Sequence, residues 1–337
     1  MIDVAGVVKR FGRVTALDGV DLAVPRGTVC GLLGHNGAGK STLINILATQ
    51  LRPTAGTARV AGYDVVAQGR EVRRRIGLAG QFATLDERIS GADNLMLIAR
   101  LLGAGRRLAR ARTDELLAAF DLTGGAARPV RTYSGGMRRR LDLAAALVGR
   151  PGVIFLDEPT TGLDPVGRLA AWEIVQGVVR DGATVLLTTQ YLDEADRLAD
   201  SITVLSHGRV VAAGTPAGLK ARIGARTVTV RLTGEADLPL AARSLQRAGL
   251  RPACDLARTS VTVPVAAPRD TATVIRTLDE LGIEISELVL AEPTLDEVYL
   301  AATERAREAA PMTAAERGSS GRPPEGLGIA PQKGGAR

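Results

Sequence analysis

The stretch "TVCGLLGHNGAGKSTL" (28–43) joins an apolar, β-branched run to a helical period through a glycine-rich turn. Gly34, Gly39, Lys40 and Ser41 fall at the spacing of a phosphate-binding loop, with the strand before it and the helix after it that such a loop requires. Glycines let the backbone curl so that successive N–H groups cradle phosphate oxygens, and the following helix adds the positive end of its dipole. The whole segment Gly34, His35, Asn36, Gly37, Ala38, Gly39, Lys40, Ser41 and Thr42 is therefore expected to hold a nucleotide. Lys40 is expected to neutralise the β- and γ-phosphates, and the Ser41 hydroxyl to ligate Mg²⁺. His35 reads as a loop-tip spacer, because the backbone does the binding here.

Two further apolar runs end in polar groups. "PGVIFLDEPTTGLD" (151–164) delivers Asp157 and Glu158 at the end of a buried strand. "ATVLLTTQYLDEADRLAD" (183–200) ends on Gln190, and a helix pattern with Leu192, Ala195 and Leu198 on one side follows. In an α/β sheet, the carboxyl ends of such strands meet at one edge. That places Asp157 where it holds Mg²⁺, Glu158 where it polarises the attacking water, and Gln190 beside Glu158. Gln190 cannot titrate, so its expected use is to orient neighbouring groups.

The alternation of strand and helix patterns over residues 1–220 predicts a mostly parallel sheet covered by helices. Between about 82 and 150 the strand patterns vanish, which predicts a helical subdomain. From 225 to 305 the order becomes βαββαβ, the pattern of a small ferredoxin-like α+β domain. Residues 306–337, ending in "PMTAAERGSSGRPPEGLGIAPQKGGAR", lack apolar periodicity and are expected to form a disordered tail.

Composition narrows the function classes. The chain has 337 residues, a net charge of +7 and only 3% aromatic residues, so it offers few platforms for stacking bases despite its basic character. Nucleic acid is not an expected partner. The runs "VRRRIG" (72–77) and "MRRRLD" (137–142) read as solvated helix faces. Cys30 and Cys254 are too far apart in sequence to suggest a metal or disulfide framework. No apolar run approaches the roughly 20 residues of a membrane helix.

"TYSGGMRRRLDLAAALVG" (132–149) sets Ser134, Gly135 and Gly136 directly before a strong helix, which taken alone is an N-cap. In combination, order and spacing with the loop at 34–41 and "LDEPTTGLD", it resembles the ATP-binding-cassette (ABC) ATPases over residues 2–219. The resemblance implies a P-loop α/β cassette that binds ATP and Mg²⁺. It implies that Phe11 stacks on adenine and that Gln81 touches Mg²⁺ and links the site to a membrane partner. Ser134, Gly135 and Gly136 would be the signature that caps the ATP of a second copy, and Asp164 would cross that interface. Two positions depart from the usual pattern: the signature reads "YSGGM", and Gln190 stands where the family usually has a histidine. These departures, with "EPTLDEVYLAAT" (292–303), resemble a narrower subgroup, the ATPase subunits of daunorubicin-resistance-type exporters.

That resemblance implies an ATPase subunit that pairs head-to-tail with its own copy. It implies a place on a separate multi-span permease at the cytoplasmic face of the membrane, driving export of a hydrophobic drug or antibiotic. The competing class is a soluble ABC ATPase acting on nucleic acid or ribosomes. Such relatives usually carry zinc cysteines, a long coiled-coil insertion or two cassettes, none of which is found in this sequence.

Overall fold

The computed structural model describes residues 1–80, 85–223 and 226–309. Gln81 and the tail from 310 onward lie outside the described residues. At the centre is a six-stranded sheet. Its order is Arg209–Gly214, Ser201–Ser206, Val29–Leu33, Thr184–Thr189, Val153–Asp157 and Ile76–Ala79. All neighbours are parallel except the first pair, a hairpin turning at His207–Gly208. The three central strands are buried along their whole length, as expected for strands covered on both faces. Parallel register sets Leu33 opposite Thr189 and Asp157 opposite Thr188. The chain segments that leave these strands therefore emerge together at one edge of the sheet.

One face of this sheet is covered by the helix Lys40–Leu47 and by a second, four-stranded antiparallel sheet. The order of that sheet is Val14–Val24, Ile2–Phe11, Ala55–Val60 and Tyr63–Asp64. Leu43, Ile44, Ile46 and Leu47 of the helix join Ile2, Leu17 and Val60 in one apolar cluster. On the other face lie the helices Pro165–Arg180 and Leu192–Leu198, continuous with the helical region Gly91–Leu101, Arg106–Ala119 and Gly135–Leu147.

The C-terminal segment follows the expected βαββαβ order, with antiparallel strands arranged Ala253–Asp255, Ser260–Val265, Arg226–Leu232, Ile285–Ala291. Leu238–Arg247 and Pro268–Asp279 supply Leu245, Val274 and Leu278 to its core of Val228, Val230, Val261 and Val263. The last helix, Leu295–Ala309, does something different. It packs on the helices Pro216–Ile223 and Leu192–Leu198 and on the antiparallel hairpin of the central sheet. Leu295 and Val298, each 3% exposed, belong to the large cassette cluster. The helix therefore continues past the boundary read at 305 and through the start of the tail read at 306. Its apolar face completes the core of residues 1–220 and not that of the small sheet.

Candidate active site

The loop between Leu33 and Lys40 turns through Gly37 (φ 82°) and Gly39 (φ 109°), conformations that disfavour any side chain. At Gly39 the constraint is double, because a Cβ there would lie 2.6 Å from the Ala16 carbonyl oxygen. At Gly34 a Cβ would lie 2.5 Å from the Leu205 carbonyl oxygen. Lys40 opens the helix and is only 6% exposed. Its Nζ donates to the Gly34 carbonyl (2.6 Å) and the His35 carbonyl (3.2 Å), so the loop folds around its own lysine. Burial lowers the Lys40 pKa, and the carboxylates of Glu158 and Asp157 oppose that shift. The His35 ring rests beside His207, with centroids 5.1 Å apart, and its Nδ1 meets the Asn36 carbonyl at 2.8 Å. Ser41 is exposed at the helix start and Thr42 half-buried.

Asp157 ends its strand 8% exposed, and Glu158 follows with φ 52°, a left-handed conformation rare outside glycine. Thr188 on the neighbouring strand fastens both residues. Its hydroxyl donates to Asp157 Oδ1 (2.5 Å) and accepts from the Glu158 backbone N–H (3.0 Å), which also meets the Thr188 carbonyl (3.1 Å). Gln190, one residue past that strand, donates its amide to Glu158 Oε1 (2.6 Å) and to Asn36 Oδ1 (3.0 Å). A single side chain thus joins the glycine-rich loop to the carboxylate at the end of "VIFLD".

Known proteins resemble this chain over most of its length. The ABC transporter family model matches residues 17–161. The daunorubicin resistance ATP-binding protein DrrA3 of Streptomyces coeruleorubidus is 52% identical, over 92% of this chain and 98% of its own length. The daunorubicin/doxorubicin resistance ATP-binding protein DrrA of Streptomyces peucetius is 47% identical, over 90% of this chain and 92% of its own. The chain belongs to the ABC transporter family. A dimeric structure of the ATP-binding cassette MJ0796 in a post-hydrolysis state with ADP and Pi superposes with a TM-score of 0.59 at 26% identity. It covers 64% of this chain and 98% of that one. This ABC chain is accordingly an ATP-binding ATPase.

Ser134, Gly135, Gly136 and Asp164, expected from the resemblance, form a second group. Ser134 caps the helix Gly135–Leu147, its hydroxyl accepting from the Met137 N–H (3.2 Å). Asp164 caps Pro165–Arg180 in the same way, accepting from the Gly167 N–H at 2.8 Å. Ser134, Gly135, Gly136, Gly162 and Asp164 share one open cavity of about 590 Å³. The signature and the aspartate at 164 are thus brought together. Phe11 ends its strand 47% exposed, with the Lys9 ammonium 4.9 Å from the ring centroid. An aromatic left on the surface suits a stacking platform better than a core position.

The reading of "MRRRLD" as a solvated face is corrected by the structure. Arg138 pairs with Glu87 (2.9 Å), and Arg140 with Asp121 (3.1 Å) and the Phe120 carbonyl (3.2 Å). Arg139 turns inward. Its Nε donates to the Pro159 carbonyl (2.7 Å), Nη1 to Gly80 (3.2 Å), and Nη2 to Asp157 (3.0 Å) and Glu158 (2.5 Å). Thr188 and Arg139 are functional-site residues that motif reading misses. Glu194 is fully buried, its carboxyl pushed above the usual range by burial and held by the Trp172 indole N–H at 3.0 Å.

Proposed function

We propose that this chain is the ATP-hydrolysing subunit of an exporter of a hydrophobic drug or antibiotic. It acts as a head-to-tail pair on a separate membrane permease, at the cytoplasmic face of the membrane. The observation that carries the catalytic part is the hydrogen-bonded chain Asn36–Gln190–Glu158, set at the sheet edge where the phosphate loop begins. The named resistance of the similar Streptomyces proteins supports the choice of cargo. Among the described residues no helix is long and apolar enough to cross a membrane, so a transport role needs a partner that does.

The residues suit Mg²⁺ with ATP. Asp157 offers a carboxylate whose Oδ1 takes the Thr188 hydroxyl, and Ser41 offers an exposed hydroxyl beside the loop. Those two, with Gln81 outside the described residues, would hold the ion. When bound, the ion neutralises phosphate oxygens. Lys40, already buried among loop carbonyls, exchanges those weak acceptors for the β- and γ-phosphate oxygens. Glu158 accepts a proton from the water whose oxygen attacks the γ-phosphorus, and the bond to the β–γ bridging oxygen breaks, releasing ADP. Gln190 fixes the carboxylate during that transfer and cannot itself take the proton.

Glu158→Gln keeps the shape and removes the base. It should bind ATP normally, hydrolyse it at least about 10²-fold more slowly, and accumulate as an ATP-bound dimer. Size-exclusion chromatography with ATP and a phosphate-release assay measure both outcomes. Release at the parent rate would falsify the assignment.

A further inference from the structure

The proposed hydrolytic role of Glu158 raises the question of what keeps that residue in its unusual backbone conformation. Its φ of 52° is one that a side chain adopts only when its surroundings impose it. Thr188 restrains the Glu158 N–H from one side. The carbonyl on the other side of the same residue is taken by Arg139.

Arg139 sits on the signature helix Gly135–Leu147, five residues beyond Ser134. Its guanidinium presents five donors in a rigid plane. Donors from all three of its nitrogens are directed at backbone carbonyls of two separate segments. Three of these carbonyls are consecutive: Asp157, Glu158 and Pro159, the stretch that carries the catalytic carboxylate out of its strand. The fourth is Gly80, the last described residue before Gln81. Burial lowers the Arg139 pKa, and the carboxylates of Asp142, Asp157, Glu194 and Glu158 oppose that shift. A half-buried cation is costly to desolvate unless fixed dipoles solvate it. Here those dipoles are the peptide groups of the catalytic turn itself.

We propose that Arg139 is a positioning residue for ATP hydrolysis. It ties the signature helix to the backbone of Asp157–Pro159 and to Gly80, and so holds the Glu158 carboxylate within reach of Gln190. Lysine cannot reproduce the arrangement. It has the charge but not the planar fork, and a single ammonium cannot serve the same spread of carbonyls. This inference rests on Glu158 being the water-activating group, and the test separates the two.

The experiment compares Arg139→Lys and Arg139→Met with the parent chain in steady-state ATPase assays, ATP-analogue binding and thermal unfolding. Glu158→Gln reports on the base assignment, and Arg112→Lys is a control. Arg112 also uses a guanidinium to hold a carbonyl, that of Leu147 (2.7 Å), away from the nucleotide residues. The expected result is a split. In Arg139→Lys kcat falls about 10-fold, and in Arg139→Met about 10²-fold, while KM and analogue affinity stay within about two-fold of the parent. Arg112→Lys loses thermal stability with kcat unchanged. Folded Arg139 variants with parental kcat overturn the inference. So does a failure of both variants to fold, because Arg139 would then serve the fold alone. If Glu158→Gln retains parental turnover, the base assignment fails instead, whatever Arg139 does.

Discussion

Gln190 stands at the end of a strand whose neighbours on either side lead into the phosphate loop and into Glu158, and it touches both. Removing one oriented donor of this kind typically costs about 10²–10³ in rate, or roughly 3–4 kcal/mol. Gln190→Ala should fall in that range in a phosphate-release assay. Gln190→His should keep more activity and add a pH dependence near neutrality, because imidazole titrates there. Asp142, one turn beyond Arg138 and Arg139, yields a second expectation. Burial raises its carboxyl from 3.8 to about 6, and its Oδ1 has no hydrogen-bond partner among the described residues. The folded state therefore keeps a proton that the unfolded chain releases, and this group's contribution to stability falls as pH rises between those two values. Asp142→Asn removes that penalty. Its melting temperature should exceed the parent's at pH 8, by the equivalent of about 1–2 kcal/mol, and match it near about pH 4. At this scale the sequence is legible wherever chemistry follows spacing along the chain. Asp157, Glu158 and Gln190 can be read because they close apolar runs, and Lys40 because it closes the glycine-rich spacing that begins at Gly34. Arg139 cannot be read this way. Its partners lie 18 to 20 residues ahead and 59 behind, and a run of three arginines does not show which one turns inward.

Elements show the same division. The three central parallel strands are legible because burial on both faces makes them continuously apolar. The edge strand Ile76–Ala79, only half-buried, gives no such run. The N-terminal antiparallel sheet is not legible either. Its first strand carries register shifts against its partner between Val4 and Val7, Val7 and Lys9, and Lys9 and Arg10, and Gly6 and Gly19 sit at positive φ. Bulges of this kind break the two-residue alternation that strand recognition depends on. The helix Leu295–Ala309 begins inside the stretch "EPTLDEVYLAAT", whose pattern names no packing partner. Leu295 and Val298 fill the cassette core, so Leu295→Ala should lower stability by about 2–5 kcal/mol. Two-state denaturant unfolding, followed at the cassette's single tryptophan, Trp172, checks this. Loss confined to the small C-terminal sheet would contradict the packing.

For the whole molecule, the difference lies between cutting after the last helix and cutting before it. A chain ending at Ala309 should keep parental ATPase and melting temperature, because residues 310–337 have no apolar periodicity to contribute to a core. A chain ending at Ala291 should lose about 3–6 kcal/mol, the burial of Leu295 and Val298 together, and expose their seat. Joining Ile223 to Thr294 by a short flexible linker, with the small sheet omitted, should restore most of that stability. The C-terminal unit is thus an insertion and not an appendage. It leaves the cassette after the helix Pro216–Ile223 and returns to it through Leu295–Ala309, and these two helices touch. The small sheet is joined to the cassette by two adjacent pins. Any partner that grips the small sheet therefore pulls on both pins at once. One of them carries Tyr299, which lines a cavity with His35 and Gln190. A load applied there has a short mechanical route to the residues that handle phosphate.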